Sequence, residues 1–274
     1  MVAQPLSPLG LCVARRRRNL LVRKFAGLCR RYLHWYGNVS YDLRTNGEDF
    51  LLATVGSFRP RTIIDAGANV GDWSLAAAAR CPEAEFHLFE ISEPTFRTLV
   101  DRTGPRGNFH CSNVGLSDRP GTVTIRHYEE LPALTTVTTY PHPFAFAEKT
   151  AQVVAGDAYA EEHNISHIDL LKIDVEGMEE QVLRGFGGMF ARKAIDLIQF
   201  EYGRISIMNH FLLRDFYLFF QERGYVVGKI YPTYVDFRDY DMADEDFLGP
   251  NYLACRADRE DYVTALRSGR SRSR

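Results

Sequence analysis

Over the first forty residues apolar side chains recur at intervals of three and four: Leu21, Phe25, Leu28, Tyr32 and Tyr36 share one stripe. Arg16, Arg17, Arg23, Lys24, Arg30 and Arg31 repeat every seven and fall opposite it. This 3.6-residue period predicts one amphipathic helix over residues 13–36, after a disordered start over residues 1–12. Residues 48–56 read as a second helix, and Phe58-Arg-Pro60 as a break. The pattern then changes. Short apolar runs alternate with helical periods, which predicts strands at 62–66, 85–90, 108–115, 122–127, 168–174, 195–201, 225–230 and 251–256. Helices are expected at 72–80, 93–102, 177–185 and 212–223. Alternating βα units imply a largely parallel sheet with right-handed crossovers, and a ligand crevice at the strand carboxyl ends. Two stretches, 128–152 and 231–250, lack a period and read as loops over that end, where substrate specificity is often carried.

Charge divides the chain further. Twelve of the 33 Lys and Arg lie in residues 1–40 and 262–274, where there is no acid; this leaves 21 against 35 Asp and Glu between them. The expected organisation is a basic extension over 1–40, an α/β domain over 41–260 and a basic flexible tail over 261–274. An acidic body argues against nucleic acid as substrate, because phosphate contacts need a basic groove. The five cysteines are scattered without a C-x-x-C pair; they read as reduced thiols of a cytoplasmic protein. No apolar run reaches the length of a membrane span. The basic helix has two readings: packing on its own domain, or contact through residues 13–36 with an anionic membrane or a partner surface.

The chemistry concentrates where strands end. Thr62-Ile-Ile-Asp65 runs into Gly67 and Gly71, and a helix follows. A strand that breaks at glycine and restarts as a helix brings backbone N–H groups to a cofactor. The dinucleotide fingerprint needs a second glycine where Asn69 stands, which sets a dehydrogenase aside. Glu90 closes the next strand, where a carboxylate can accept hydrogen bonds from both ribose hydroxyls. Lys172-Ile-Asp-Val-Glu-Gly177 closes another, with Asp174 at its end and Lys172 two residues earlier on the same face, placed to anchor carboxylates. Glu201 ends a further apolar run, where partial desolvation would raise its basicity. Asp174, Glu176 and Glu201 are the candidate general bases, with His142 and His210 behind them. No His/Asp set has metal-ligand spacing, so metal-free catalysis is expected.

Together these segments resemble the FkbM family of class I S-adenosylmethionine-dependent methyltransferases. The resemblance rests on Asn46-Gly47-Glu48, the Gly67-to-Gly71 turn, Gly115-Leu-Ser-Asp118 and the 172–177 core, and covers roughly residues 40–256. Gly156-Asp157-Ala158 departs from the family's Leu-Asp pair. The resemblance implies a Rossmann-like fold with a mostly parallel seven-stranded sheet flanked by helices. S-adenosylmethionine would be the cofactor, and a hydroxyl of a sugar, glycan, glycolipid or polyketide-type metabolite the acceptor. On this resemblance Asp65, Gly67, Asn69, Gly71, Glu90, Ser117, Asp118 and Asp174 would bind the cofactor. Asp65 would hold the methionine amino group directly or through water, Ser117 and Asp118 would lie near adenine, and Asp174 would face the transfer point. The alternative is a cofactor-binding but catalytically idle scaffold docked through its basic helix.

Overall fold

The structure, a computed structural model, describes residues 6–104, 106–128, 135–137 and 144–268. Three helices come first: α1 (Pro8–Arg15), α2 (Leu20–Tyr36) and α3 (Glu48–Gly56). The alternating part opens with β1 (Thr62–Ala66), α4 (Asp72–Arg80), β2 (Glu85–Phe89), α5 (Glu93–Thr103) and β3 (Phe109–Ser112). A small sheet follows, built from β4 (Gly115–Ser117), β5 (Gly121–His127) and β6 (Ala147–Ala155). Then come α6 (Gly156–Glu162), β7 (Ile168–Ile173), α7 (Glu179–Gly185), α8 (Gly187–Ala191), β8 (Ile195–Glu201), α9 (Ser206–Asn209) and α10 (Leu213–Gln221). The chain ends with β9 (Tyr225–Tyr231), β10 (Tyr234–Phe237), β11 (Asn251–Arg256) and α11 (Glu260–Ser268).

The main sheet has eight strands in the order β10-β9-β11-β8-β7-β1-β2-β3. Strands from β3 to β8 are parallel neighbours, whereas β11 runs antiparallel to both β8 and β9. The sheet is therefore mixed, and it exceeds the expected seven strands. The eighth is β10, folded back on β9 within the stretch that read as a loop. Its alternation is real, with Val235 and Phe237 buried, but too short to stand out among aromatics and acids. The other aperiodic stretch hides β6, which pairs with β5 from Gly121↔Val153 to His127↔Ala147.

Successive residues of the central strands feed opposite faces. Ile64, Leu171, Ile198 and Phe200 pack with Tyr159, Val182, Phe190 and Phe216 on one side. Ile63, Leu170, Leu197 and Leu253 pack with Leu51, Trp73, Leu99 and Leu266 on the other. Helices on both faces explain why these strands read as continuous apolar runs. Asp157, at the family departure, accepts from the N–H groups of Gly188 and Met189 and caps α8.

Both basic termini depart from expectation. Residues 261–268 belong to α11, because Tyr262 and Leu266 lie four apart on the face it buries; residues 269–274 lie outside the described residues. At the other end, helix begins at Pro8 and is interrupted after Arg15. Ser7 caps α1, and Asn19 caps α2 by accepting from the Leu21 N–H at 2.9 Å. Neither helix has a buried residue, so the apolar stripe does not pack on its own domain. Among the described residues no helix is long and apolar enough to cross a membrane.

Candidate active site

A cavity of about 660 Å³ opens at the carboxyl ends of β1, β2, β7 and β8, the crevice position of an open α/β sheet. Of the expected site residues, Gly67, Asn69, Glu90, Asp174, Glu176 and Glu201 line it. Gly67 turns at φ 85°. A Cβ there would come within 1.8 Å of the Asp174 carbonyl oxygen. The glycine thus lets two strand ends meet, rather than clearing space for a ligand. Gly71, just before α4, turns at φ 87°, a left-handed conformation that favours glycine, and a Cβ there would lie 2.9 Å from Leu99 Cδ1 of α5.

Beneath the cavity floor runs a polar row. Asp65, Lys172 and Gln199 are register partners across β1, β7 and β8. Lys172, 5% exposed, donates to Asp65 Oδ1 at 3.3 Å and Asp174 Oδ2 at 3.1 Å. Ser74 Oγ donates to the other Asp65 oxygen at 2.5 Å. Gln199 donates to Glu48 Oε1 at 2.6 Å, and Asn46 donates to Glu48 Oε2 at 2.7 Å. Asn46-Gly47-Glu48 therefore plugs the row from the start of α3. Burial works against the Lys172 ammonium, but the carboxylates of Asp174, Asp65 and Glu48 outweigh it and hold its pKa above the ordinary value. Asp65 is fully buried and is not among the cavity-lining residues. Its carboxylate serves Lys172 and Ser74, so of the two expected ways of holding a ligand amino group, directly or through water, this geometry does not offer the direct one.

Glu90 closes β2 at the cavity wall. Its oxygens accept from the Asn69 N–H at 2.9 Å and the Ser92 N–H at 2.8 Å. Burial nevertheless pushes its carboxyl up to about 7, because two backbone donors do not repay the lost water.

Beside it Asp174, Glu176 and Glu201 gather, with carboxylate oxygens within 4.8 Å of one another. The sequence spacing could not show this, since two adjacent strands supply the acids. Asp174 is held below the usual carboxylate range: burial opposes this, but Lys172 and a hydrogen bond from Glu201 win. Glu201 is pushed well above that range, first by burial and then by the charges of Asp174 and Glu176. Burial, Asp174 and Glu179 lift Glu176 to about 8. The cluster thus keeps protons that a cation in front of it would drive off, and the same oxygens are close enough to hold a divalent metal ion. A second group, His167, Asp169 and Asp196, lies at the opposite end of the strands, with Asp196 paired to Arg256 and Arg259.

Ser117 and Asp118 do not line the cavity; Gly115 and Leu116 do. Ser117 Oγ donates to Asp118 Oδ1 at 3.2 Å. The Ser117 carbonyl packs so tightly on Gly185 that a Cβ there would lie 2.0 Å away. His210 is exposed at the end of α9 and away from the lining, and His142 lies outside the described residues. Sequence reasoning missed His34, Val39 and Tyr41, which reach the cavity from the N-terminal segment, and Arg204, three residues past Glu201. The strand-end rule points to Arg204, but no local signal marks the other three. Thr135 and Thr136, in a stretch singled out for specificity, do line the cavity, and Thr136 Oγ1 donates to the Glu176 carbonyl at 2.5 Å.

Residues 65–227 match the family described as the methyltransferase FkbM domain. Methyltransferase 1 of Beauveria bassiana (strain ARSEF 2860) is 28% identical over 148 residues, 45% of this chain and 57% of that protein. Methyltransferase sdnD of Sordaria araneosa is 27% identical over 153 residues, 45% of this chain and 59% of that protein. The match thus spans somewhat over half the length of these curated relatives. Among solved structures, precorrin-6y C5,15-methyltransferase from Geobacter metallireducens GS-15 aligns at TM-score 0.40 and 11% identity, covering 74% of this chain and 84% of that one. The plantazolicin methyltransferase BpumL aligns at 0.43 and 10%, covering 89% and 93%. At these values the structural likeness says nothing about the site.

Proposed function

The chain belongs to the FkbM family of methyltransferases, whose methyl donor is S-adenosylmethionine, and on that premise we propose that it methylates a hydroxyl group. The acceptor class is a sugar or glycan, a glycolipid or a polyketide-type metabolite. The observation that carries the reading is the three-carboxylate cluster facing a cavity walled elsewhere by Ile91, Val123, Ile125, Val153 and Leu248. Such walls suit an acceptor with an apolar body; the acids suit the chemistry.

The donor supplies an already activated methyl group, so the protein's first task is alignment. Glu90, fixed by Asn69 and Ser92, presents its remaining lone pairs to the ribose hydroxyls. Asp174, kept ionised by Lys172, faces the positive charge. The second task is to remove the acceptor's proton. A cation in the cavity favours the ionised forms of Glu176 and Glu201. An ionised Glu201, desolvated, is a stronger base than a surface carboxylate, and base catalysis of this kind is worth about 10² to 10⁴ in rate.

Transfer of label from methyl-labelled donor to a panel of hydroxylated glycans, glycolipids and polyketides tests the proposal. Asp174→Asn and Glu201→Gln should each lower turnover by about 10² or more, with a smaller change in affinity for S-adenosylhomocysteine. Parental turnover in both variants would place the base elsewhere. Cofactor binding without transfer to any acceptor would favour the idle-scaffold alternative. Turnover abolished by a chelator would assign the carboxylates to a metal ion.

A further inference from the structure

The apolar stripe of α2 faces water: Phe25 is 67% exposed and Trp35 70%. At 100° per residue an unbroken uncharged arc, from Trp35 through Leu21, Tyr32 and Phe25 to Leu33, takes about half the circumference. Arg23, Lys24, Arg30, Arg31 and His34 lie in the other half, with Leu20 and Gly27 between them. An arc so wide exceeds the narrow seam by which a helix pairs with its like. Residues 1–40 contain eight Lys and Arg and no acid, so a second copy would meet like charge. A broad apolar face with aromatics, flanked by cations, is the pattern of a helix lying in the plane of an anionic bilayer surface.

The helix is also fixed to the cavity. Just past its end, Asn38 Nδ2 donates to the carbonyls of Asn46 at 2.7 Å and Ile230 at 2.9 Å. His34, in its last turn, and Tyr41 line the cavity itself. We infer that α2 docks on an anionic lipid surface and thereby holds the mouth of the cavity against it. That the acceptor hydroxyl is borne by that membrane rests on the methyltransferase reading; the docking does not.

The test uses the full chain and vesicles of phosphatidylcholine with or without phosphatidylglycerol. Binding should require phosphatidylglycerol and collapse between 0.1 and 1 M salt, as the screening length falls from about 10 Å to about 3 Å. Arg30→Gln with Arg31→Gln should weaken it by about thirtyfold. Trp35 emission should shift to the blue on these vesicles; Trp73 is buried already, and Trp35→Phe should abolish the shift. Unchanged binding of S-adenosylhomocysteine by the variants shows that they fold, and separates failure of docking from failure of the methyltransferase reading. Equal binding to both vesicles, or indifference to the arginine changes, overturns the inference. So does a stable dimer that Phe25→Ser makes monomeric, which would hand the stripe to a second copy.

Discussion

Lys172→Met isolates the row on which the site rests. The side chain fits the same space, so the variant removes a charge rather than volume. At an effective dielectric of about 20, contacts of 3.3 Å to Asp65 and 3.1 Å to Asp174 are each worth about 5 kcal/mol of Coulomb attraction. Desolvation of the ammonium offsets most of that. What the variant cannot recover is the cost of Asp65, which is fully buried and, among the described residues, keeps the Ser74 hydroxyl as its side-chain partner. Asp174, whose side chain is 38% exposed, adds less because water screens it. Breaking a buried pair on one side costs about 3–5 kcal/mol, or roughly 6–20 °C in Tm for a domain of this size. Urea unfolding of parent and variant measures it, and adding Asp65→Asn should recover a substantial part. The sign with pH follows. Asp174's lowered pKa contributes stability that is present above its unfolded value and lost as pH falls through its folded value. The variant lacks this contribution, so the gap should narrow in acid. A single variant within 1 kcal/mol of the parent, or a gap that widens in acid, would refute the structural role of the pair.

Two further outcomes are expected. Glu90→Gln removes a charged acceptor worth about 1.5–3 kcal/mol, so calorimetry at pH 8 should show roughly ten- to a hundredfold weaker binding of S-adenosylhomocysteine; an unchanged Kd removes Glu90 from the site. Glu90 and Glu176, raised to about 7 and about 8, contribute stability that is present below their unfolded pKa and lost as pH rises through those values. The free protein should therefore lose stability between about pH 5 and 8, and S-adenosylmethionine, being a cation, should flatten that slope and bind with proton release; a flat free-protein profile, or proton uptake, contradicts the cluster's assignment.

The sequence by itself determined much of this molecule. Periods and glycine breaks located the central strands, because burial on both faces forces continuous apolar runs. Strand-end acids showed where a ligand would lie, because an open α/β sheet has its crevice there. Contacts between distant segments were decided only by the tertiary structure. The union of Asp174 with Glu201 depends on β7 lying beside β8, and the plug of Glu48 on Gln199 joins residues 151 positions apart. Gly67 lines the cavity, and only the fold shows that the Asp174 carbonyl occupies the place of its missing side chain. Ser117 and Asp118 matched a motif, but β4 pairs with β6 in a separate sheet, the Ser117 carbonyl packs on Gly185 of α7, and Asp118 is exposed. The stripe on α2 was legible as a pattern, but a period says only that one face is apolar. What covers that face depends on how the helix meets the body, and here Asn38 ties the segment just past its end to the body while Phe25 and Trp35 stay exposed.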